Sequence, residues 1–483
     1  MHGYRGGKMG KHQELMKNTA YITVGKVCTQ FISFLLLPLY TLLLTTSEYG
    51  TADIINSYTY LLVYVVSLQI EQGVFRFLVE KRDVTDARDR TEIVSTGALI
   101  ITLSSAVYFV IFMGVRKLVS IPYAIFLFIN VVAVSFSGLT LQIARGFGDN
   151  IAYAAGSFIS ATVTIIFNVL FIAVFKCGAA GLLASLFLGN AACIVFLNFK
   201  CKIGRSFSFS AFNRQLARKL LAYSLPLIPN CLAWWIVGAS DKSVVTFYMG
   251  AAANGILAIA HKFPNVYIAF YQIFHLAWTE SASLHVKDDD CDIFFAEITN
   301  KAFSFFSCLC AGMIAVIPLI FNLLINEQYA AAYEQIPLHM IAAFFNALQG
   351  MYSVQYIALK RTKQLAISTG MAAIINLAVC LALIRPIGLY AASVSSIAAY
   401  VVIIAYRIYD LRKQIKIKFK WKTVACASVI VIVAVLVYYC NEFFLSVFST
   451  LIIACVSFAL NRDTICMMVS VIGKKFFGKN VRN

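Results

Sequence analysis

Apolar runs long enough to cross a bilayer recur from one end of this sequence to the other. A transmembrane helix needs about 20 consecutive, mostly apolar residues. About fourteen segments meet that requirement: 19–44, 52–74, 93–114, 119–144, 151–175, 179–199, 221–246, 252–279, 299–325, 332–358, 364–384, 387–409, 421–440 and 443–461. Only Asn441 and Glu442 separate the last two, so one hairpin of two spans is the less secure part of the count. Of 483 residues, 60% are hydrophobic and 13% charged. One globular core cannot absorb that much apolar surface, because single cores stop growing at about 250–300 residues. The excess must face lipid, and runs of this length reach across it as helices. The expected fold is all-α, a polytopic membrane protein.

The basic residues orient the chain. Of its 40 lysines and arginines, only Arg116, Lys117, Lys176 and Arg385 fall in one set of alternate loops. Lys26, Arg76, Lys242, Lys262 and Lys301 fall inside or at the edges of spans. All the others lie in the opposite loops and at the two ends, including the run from Arg407 to Lys422. Positive residues stay on the cytoplasmic side, which places both termini in the cytoplasm of a cell membrane and leaves almost nothing projecting on the far side. The same partition explains the net charge of +18 and removes nucleic acid as a partner. The 13 cysteines sit mostly singly in apolar runs, as Cys28, Cys193, Cys380, Cys426 and Cys455 do. They read as reduced, small apolar side chains. The polar, basic stretch 1–18 has no apolar core for cleavage, and Met1, Met9 or Met16 can each be the start.

The connection 200–220 divides the chain. Phe207, Phe209, Phe212, Leu216 and Leu220 alternate there with Arg214, Arg218 and Lys219, the pattern of a basic amphipathic segment on a membrane surface. The expected organisation is a six-helix half (1–199), this linker (200–220), a second six-helix half (221–412), and two further helices with a basic tail (413–483). The halves share weak features: Asn168 with the following Gly178–Leu182, and Asn376 with Gly388 and its neighbours. An even number of helices per half makes this a parallel, pseudo-two-fold repeat, as in transporters that rock one half against the other.

Several functions are argued against. No glycine-rich phosphate loop is present, since Ala20 stands where the first glycine before Gly25-Lys26 would be. The histidines lack metal-ligand spacing, and no metal or cofactor is expected. A membrane glycan-assembly enzyme needs a sizeable far-side loop, and those loops are short. No catalytic residue is assigned.

Charges within spans are costly and are functional candidates by default. Lys26, Arg76, Lys242 and Lys262 come from the first two helices of each half. Facing each other across a cavity, they would suit an anionic head group, because lysine and arginine bind phosphate by charge-assisted hydrogen bonds. Lys262 is the sharpest candidate, about ten residues into its span, beside His261 and before the kink-forming Pro264. Glu71, Asp241 and His261 are candidates for cation coupling or for pairing in that cavity; Glu71 and Arg76 are a candidate pair, and Asp53 and Glu280 lie close to span ends, where water can solvate them. Tyr58, Tyr60, Tyr64, Trp234, Trp235, Tyr267, Tyr271 and Trp278 could stack on sugars, although belts and lipid-facing fillers use the same residues.

Asn18-Thr19-Ala20-Tyr21, Gly25-Lys26, Pro38-Leu39-Tyr40, Glu48-Tyr49-Gly50, the run Tyr223 to Pro229, Ser240-Asp241-Lys242 and Ile259-Ala260-His261-Lys262-Phe263 together resemble the polysaccharide-export flippases. These belong to the multidrug/oligosaccharidyl-lipid/polysaccharide (MOP) superfamily. The resemblance spans nearly the whole chain in diffuse motifs. It implies alternating access, and a lipid-linked oligosaccharide carried on a polyprenyl pyrophosphate from the inner to the outer leaflet for O-antigen, capsule or a similar polymer. It also implies a coupling cation, H+ or Na+, and membrane lipids as the surroundings. Lys26, Asp241 and Lys262 match positions where the family often carries charge; Arg76 and Lys242 match less well. A cation-coupled multidrug exporter of the same superfamily is the alternative.

Overall fold

A computed structural model describes residues 34–477 apart from 82–86, 287, 413 and 416, with the side chains of 87, 463–465 and 467–477 also outside the description. The protein is helical throughout, with no strand among the described residues. Ten helices are long and apolar enough to cross a membrane, or eleven counting one bent pair. Every expected span from the second onward is covered by helix, whereas most of the first, with Lys26, lies outside the described residues. The helices Lys262–His285 and Ala332–Ala358 are as long as the ten but more polar. Ala332–Ala358 can be polar because most of its length is buried against protein. The last apolar region resolves into Trp421–Cys440 and Phe443–Phe477, parted by Asn441 in the left-handed conformation that ends helices. Both present apolar side chains outward, including Ile432, Leu436, Phe444 and Phe448, as lipid-facing helices do.

Three breaks shape the helices that carry the candidate residues. The run Arg214–Ala260 has 47 residues, about 70 Å if straight and more than twice a hydrocarbon core. It divides at Gly250, whose φ of 86° suits a residue without Cβ, between the expected seventh and eighth spans. A second break separates Ala260 from Lys262. Pro264 causes it: proline has no N–H for the carbonyl of Ala260, and its ring clashes there. The third bends Thr46–Val66 against Ile70–Glu80 by 53°. Leu68 and Gln69 are both left-handed, with φ of 52° and 53°, and conformations of this kind cost on the order of 1–3 kcal/mol each for ordinary residues.

The chain forms two compact units, Met1–Ala258 and Ile259–Asn483. The first has cores around Ile70, Val74, Ile143 and Leu197 and around Ile55, Val131 and Leu183. The connection 200–220 belongs to this packing. Asn213 caps the helix Arg214–Ser224 by accepting from the amides of Gln215 and Leu216, and Leu220 is fully buried. Phe209 and Phe212 remain exposed. The segment is amphipathic, with its apolar face on its own unit. The second unit centres on Ala332–Ala358, which packs along Lys262–His285 and Tyr390–Leu411. Each unit holds one similar hairpin. Asn150–Val169 packs along Gly178–Cys201, and Thr362–Ile387 along Tyr390–Leu411, with Gly178 and Gly388 left-handed at the turns.

Candidate functional sites in the two units

Within the first unit, the helix Thr46–Val66 starts with a capping box. Thr45 accepts from the Glu48 amide while the Glu48 carboxylate accepts from the Thr45 amide. Gly50 follows because a backbone passes against it: an added Cβ would collide with the Ala251 carbonyl oxygen and lie 2.6 Å from the Gly255 nitrogen. The run Glu48-Tyr49-Gly50 is thus a cap followed by a close helix crossing.

That crossing assembles a charged cluster. Lys242 Nζ lies 2.9 Å from Asp53 Oδ2 and 3.1 Å from Oδ1, both side chains being about one-fifth exposed or less. Asn254 donates to the Gly50 carbonyl at 2.8 Å and approaches Asp53 at 3.4 Å. The Asp241 carboxylate is buried and accepts from the Lys242 amide at 2.8 Å. Asp53 was expected near a solvated span end; it is instead the partner of Lys242, because the crossing at Gly50 brings the two helices together. One ammonium faces two carboxylates here, so Lys242 is already engaged.

Arg76 sits elsewhere in this unit. Its side chain is about half exposed, pairs with Glu80 at 3.0 Å and lies over the Tyr223 ring, 4.9 Å from its centroid. Glu71 is not its partner. Five residues turn a helix by about 140° beyond a full circle, off the common face, whereas i,i+4 brings side chains together. Glu71 is buried at 8% exposure, and its Oε2 has no hydrogen-bond partner. A polar cleft of about 580 Å³, lined by residues including Arg88, Glu92, Ser210, Asn213 and Arg214, lies where the connection meets Ala87–Leu118. Asn213 also donates to Glu92 there. Sequence reading did not anticipate this cleft, which joins segments more than a hundred residues apart.

Within the second unit, the break before Pro264 sets His261 and Lys262, both half-buried, at the head of Lys262–His285. His261 Nε2 lies 3.2 Å from Nδ1 of the buried His339. Tyr267, Tyr271 and Trp278 are buried and packed with Phe274, Phe295 and Phe306, so they build the core.

The largest fully buried side chain is Arg407, which the charge pattern had placed in a loop. The helix Tyr390–Leu411 runs a turn past it. Its guanidinium donates to the backbone oxygen and Oε1 of Gln349 at 2.9 and 2.7 Å, to Ser368 Oγ at 3.2 and 3.1 Å, and to Thr369 Oγ1 at 3.4 Å. All five donors are met by neutral acceptors, which ties three helices together. Among the described residues no group of three or more histidine, cysteine or carboxylate side chains could hold a metal.

Comparison with known proteins agrees with this architecture. The family described as polysaccharide biosynthesis protein matches residues 15–274. A search of curated proteins finds no match. Among solved structures, the lipid II flippase MurJ in an inward closed conformation is 13% identical with a TM-score of 0.68, covering 92% of this chain and 99% of that one. An inward-facing multidrug resistance MATE family transporter of the MOP superfamily is also 13% identical, with a TM-score of 0.65 over 79% of this chain and 98% of that one. A MOP superfamily transporter from Pyrococcus furiosus Vc1, described as having a binding pocket of reversed polarity, has a TM-score of 0.56 at 13% identity, covering 83% of this chain and 95% of that one. By this match and this fold, the chain belongs to the polysaccharide biosynthesis protein family and is a polytopic membrane protein with the fold of MOP superfamily transporters.

Proposed function

We propose that this protein is a flippase for a polyprenyl-pyrophosphate-linked oligosaccharide, moving it from the inner to the outer leaflet by alternating access to supply a cell-surface polysaccharide such as O-antigen or capsule. The observation that carries this reading is the polysaccharide biosynthesis match over residues 15–274 on a fold shared with transporters. The protein sits in the inner or plasma membrane with both termini in the cytoplasm, and it transports without catalysing a covalent step.

The cargo has a dianionic head and an apolar tail, so the protein needs cationic groups at membrane depth. Lys262 is the best placed. It opens a 24-residue helix, and the positive end of a helix reinforces an ammonium toward an anion. Broken helices of this kind present their N-termini to anionic substrates in other transporters. Arg76 offers a half-exposed guanidinium, and Lys26 completes the set. Lys242 serves through its pairing with Asp53 and Asp241, and His261 through its contact with His339. The organisation into two six-helix halves, with two added helices, is part of the same proposal.

A charge-assisted hydrogen bond contributes about 1.5–3 kcal/mol, about 10- to 100-fold in binding. Lys262→Ala should therefore cut surface glycan by at least about tenfold in a strain lacking the native gene, with the amount of folded protein unchanged. Normal export would remove the lysine from the site. The multidrug exporter is kept as a second reading because the fold is shared with MATE transporters; it predicts that loss of the protein changes drug resistance while glycan stays normal.

A further inference from the structure

The cleft between the 200–220 connection and Ala87–Leu118 takes its depth from the helix that forms one wall. No charge interrupts that helix between Glu92 and Arg116, about 36 Å of helix against about 30 Å of hydrocarbon. Its outward face there is apolar, with Leu103, Val107, Val110 and Ile111 all exposed. Glu92 therefore marks the edge of the hydrocarbon. Arg88, one turn earlier, is about 6 Å farther out, at the level of lipid head groups.

The opposite wall is fastened to this helix. The Ser208 amide donates to Ser95 Oγ at 2.9 Å, the Asn213 amide donates to Thr96 Oγ1 at 3.2 Å, and the Asn213 side chain donates to Glu92. These bonds hold together the walls of a recess of about 580 Å³. Arg88 lines it from one wall and Arg214 from the other, both exposed. Ser208 and Ser210 add hydroxyls, their oxygens 2.8 Å apart. The Glu92 carboxylate accepts from Asn213 and keeps acceptor capacity beyond that one bond. On the same connection Phe209 and Phe212 are 76% and 47% exposed, while Leu216 and Leu220 make the contacts to the core of the unit.

These parts match different portions of one ligand. Guanidiniums at a polar recess bind phosphate by charge-assisted hydrogen bonds. Exposed phenylalanines beside basic residues at this depth insert where head groups meet acyl chains. A soluble phosphate has no use for the phenylalanines. Two guanidiniums against one carboxylate leave a net positive charge, which an anionic lipid balances and a zwitterionic one does not. We propose that the cleft is a binding site for an anionic glycerophospholipid with a hydroxylated head group. Its phosphate is held by Arg88 and Arg214, its head-group hydroxyls by Glu92 and Ser210, and Phe209 and Phe212 sit among its acyl chains. Glu92 sets the choice of head group, because a carboxylate accepts from hydroxyls and repels a doubly charged phosphate monoester. The site is separate from the groups assigned to the cargo and stands whatever the cargo is.

The test titrates detergent-purified full-length protein with phosphatidylglycerol, or with phosphatidylethanolamine of the same chains, and counts bound lipids by native mass spectrometry. Wild type should bind phosphatidylglycerol more tightly, and Arg88→Gln with Arg214→Gln should weaken it about 10- to 100-fold. Arg218→Gln with Lys219→Gln removes equal charge from exposed positions outside the cleft and should bind as wild type does. Phe209→Ser with Phe212→Ser should weaken binding as well. Equal binding of the two lipids, or equal losses in the two charge-removing variants, overturns the site. Normal binding by the phenylalanine variant, or displacement of the lipid by free glycerol phosphate at equal concentration, also overturns it and assigns the cleft to a soluble phosphate.

Discussion

Arg407→Ala is expected to abolish folded protein. The guanidinium is fully buried and supplies all five of its donors to Gln349, Ser368 and Thr369. The hydroxyls of Ser368 and Thr369 already donate to the Leu365 carbonyl, and the Gln349 amide donates to Asn346. Each therefore presents an acceptor that only Arg407 fills. Removing it strands these acceptors, at about 1–3 kcal/mol per unsatisfied group, and leaves a cavity the size of the side chain. The total approaches the 5–15 kcal/mol that typically separates folded from unfolded domains. Arg407→Lys should rescue little, since an ammonium has three donors and no planar fork. Size-exclusion profiles of detergent-extracted protein measure this, and a wild-type amount of monodisperse Arg407→Ala protein would contradict the assignment.

Gly50→Val should be as damaging for a different reason. Even an alanine Cβ at position 50 collides with the Ala251 carbonyl, and one at Gly255 collides with the Thr46 carbonyl. Backbone cannot rotate away as a side chain can, so the helices must separate. Separation breaks the Asn254 bond to Gly50 and loosens Lys242 from Asp53, leaving charges half-buried and unpaired. Gly370→Ala is the control, because its Cβ would meet open space; removing a mid-helix glycine there should be neutral or stabilise by about 0.5–1 kcal/mol. Thermal unfolding of the purified wild type and the two variants decides it. Gly50→Val melting with Gly370→Ala would contradict the close crossing.

Much of the fold was legible because its causes are local. Hydropathy located helices from the second expected span onward, ten or eleven of them apolar enough to cross a membrane, and Pro264 and Asn441 marked breaks by chemistry that needs no partner. The candidate sites were legible only in part. Lys242 was visible beside Asp241, but its ion-pair partner Asp53 is 189 residues away in sequence, and only the Gly50 crossing reveals the pairing. The Arg76–Glu80 bridge could have been read from its i,i+4 spacing; the proposed link to Glu71 ignored the helical phase. Arg407 was counted with the cytoplasmic basic run although the expected span 387–409 already contained it, because the neutral acceptors that solvate its buried guanidinium come from other helices.

The central claim is movement of a lipid-linked sugar across a bilayer. Its most direct test reconstitutes the full-length protein into liposomes bearing a fluorescent polyprenyl-pyrophosphate oligosaccharide in both leaflets. Accessibility of the label to an impermeant quencher is then followed over time after the outer pool is bleached. The account predicts that wild-type protein restores outer-leaflet label while Lys262→Ala does so far more slowly. Equal rates in protein-free liposomes and in liposomes containing the wild type would contradict it.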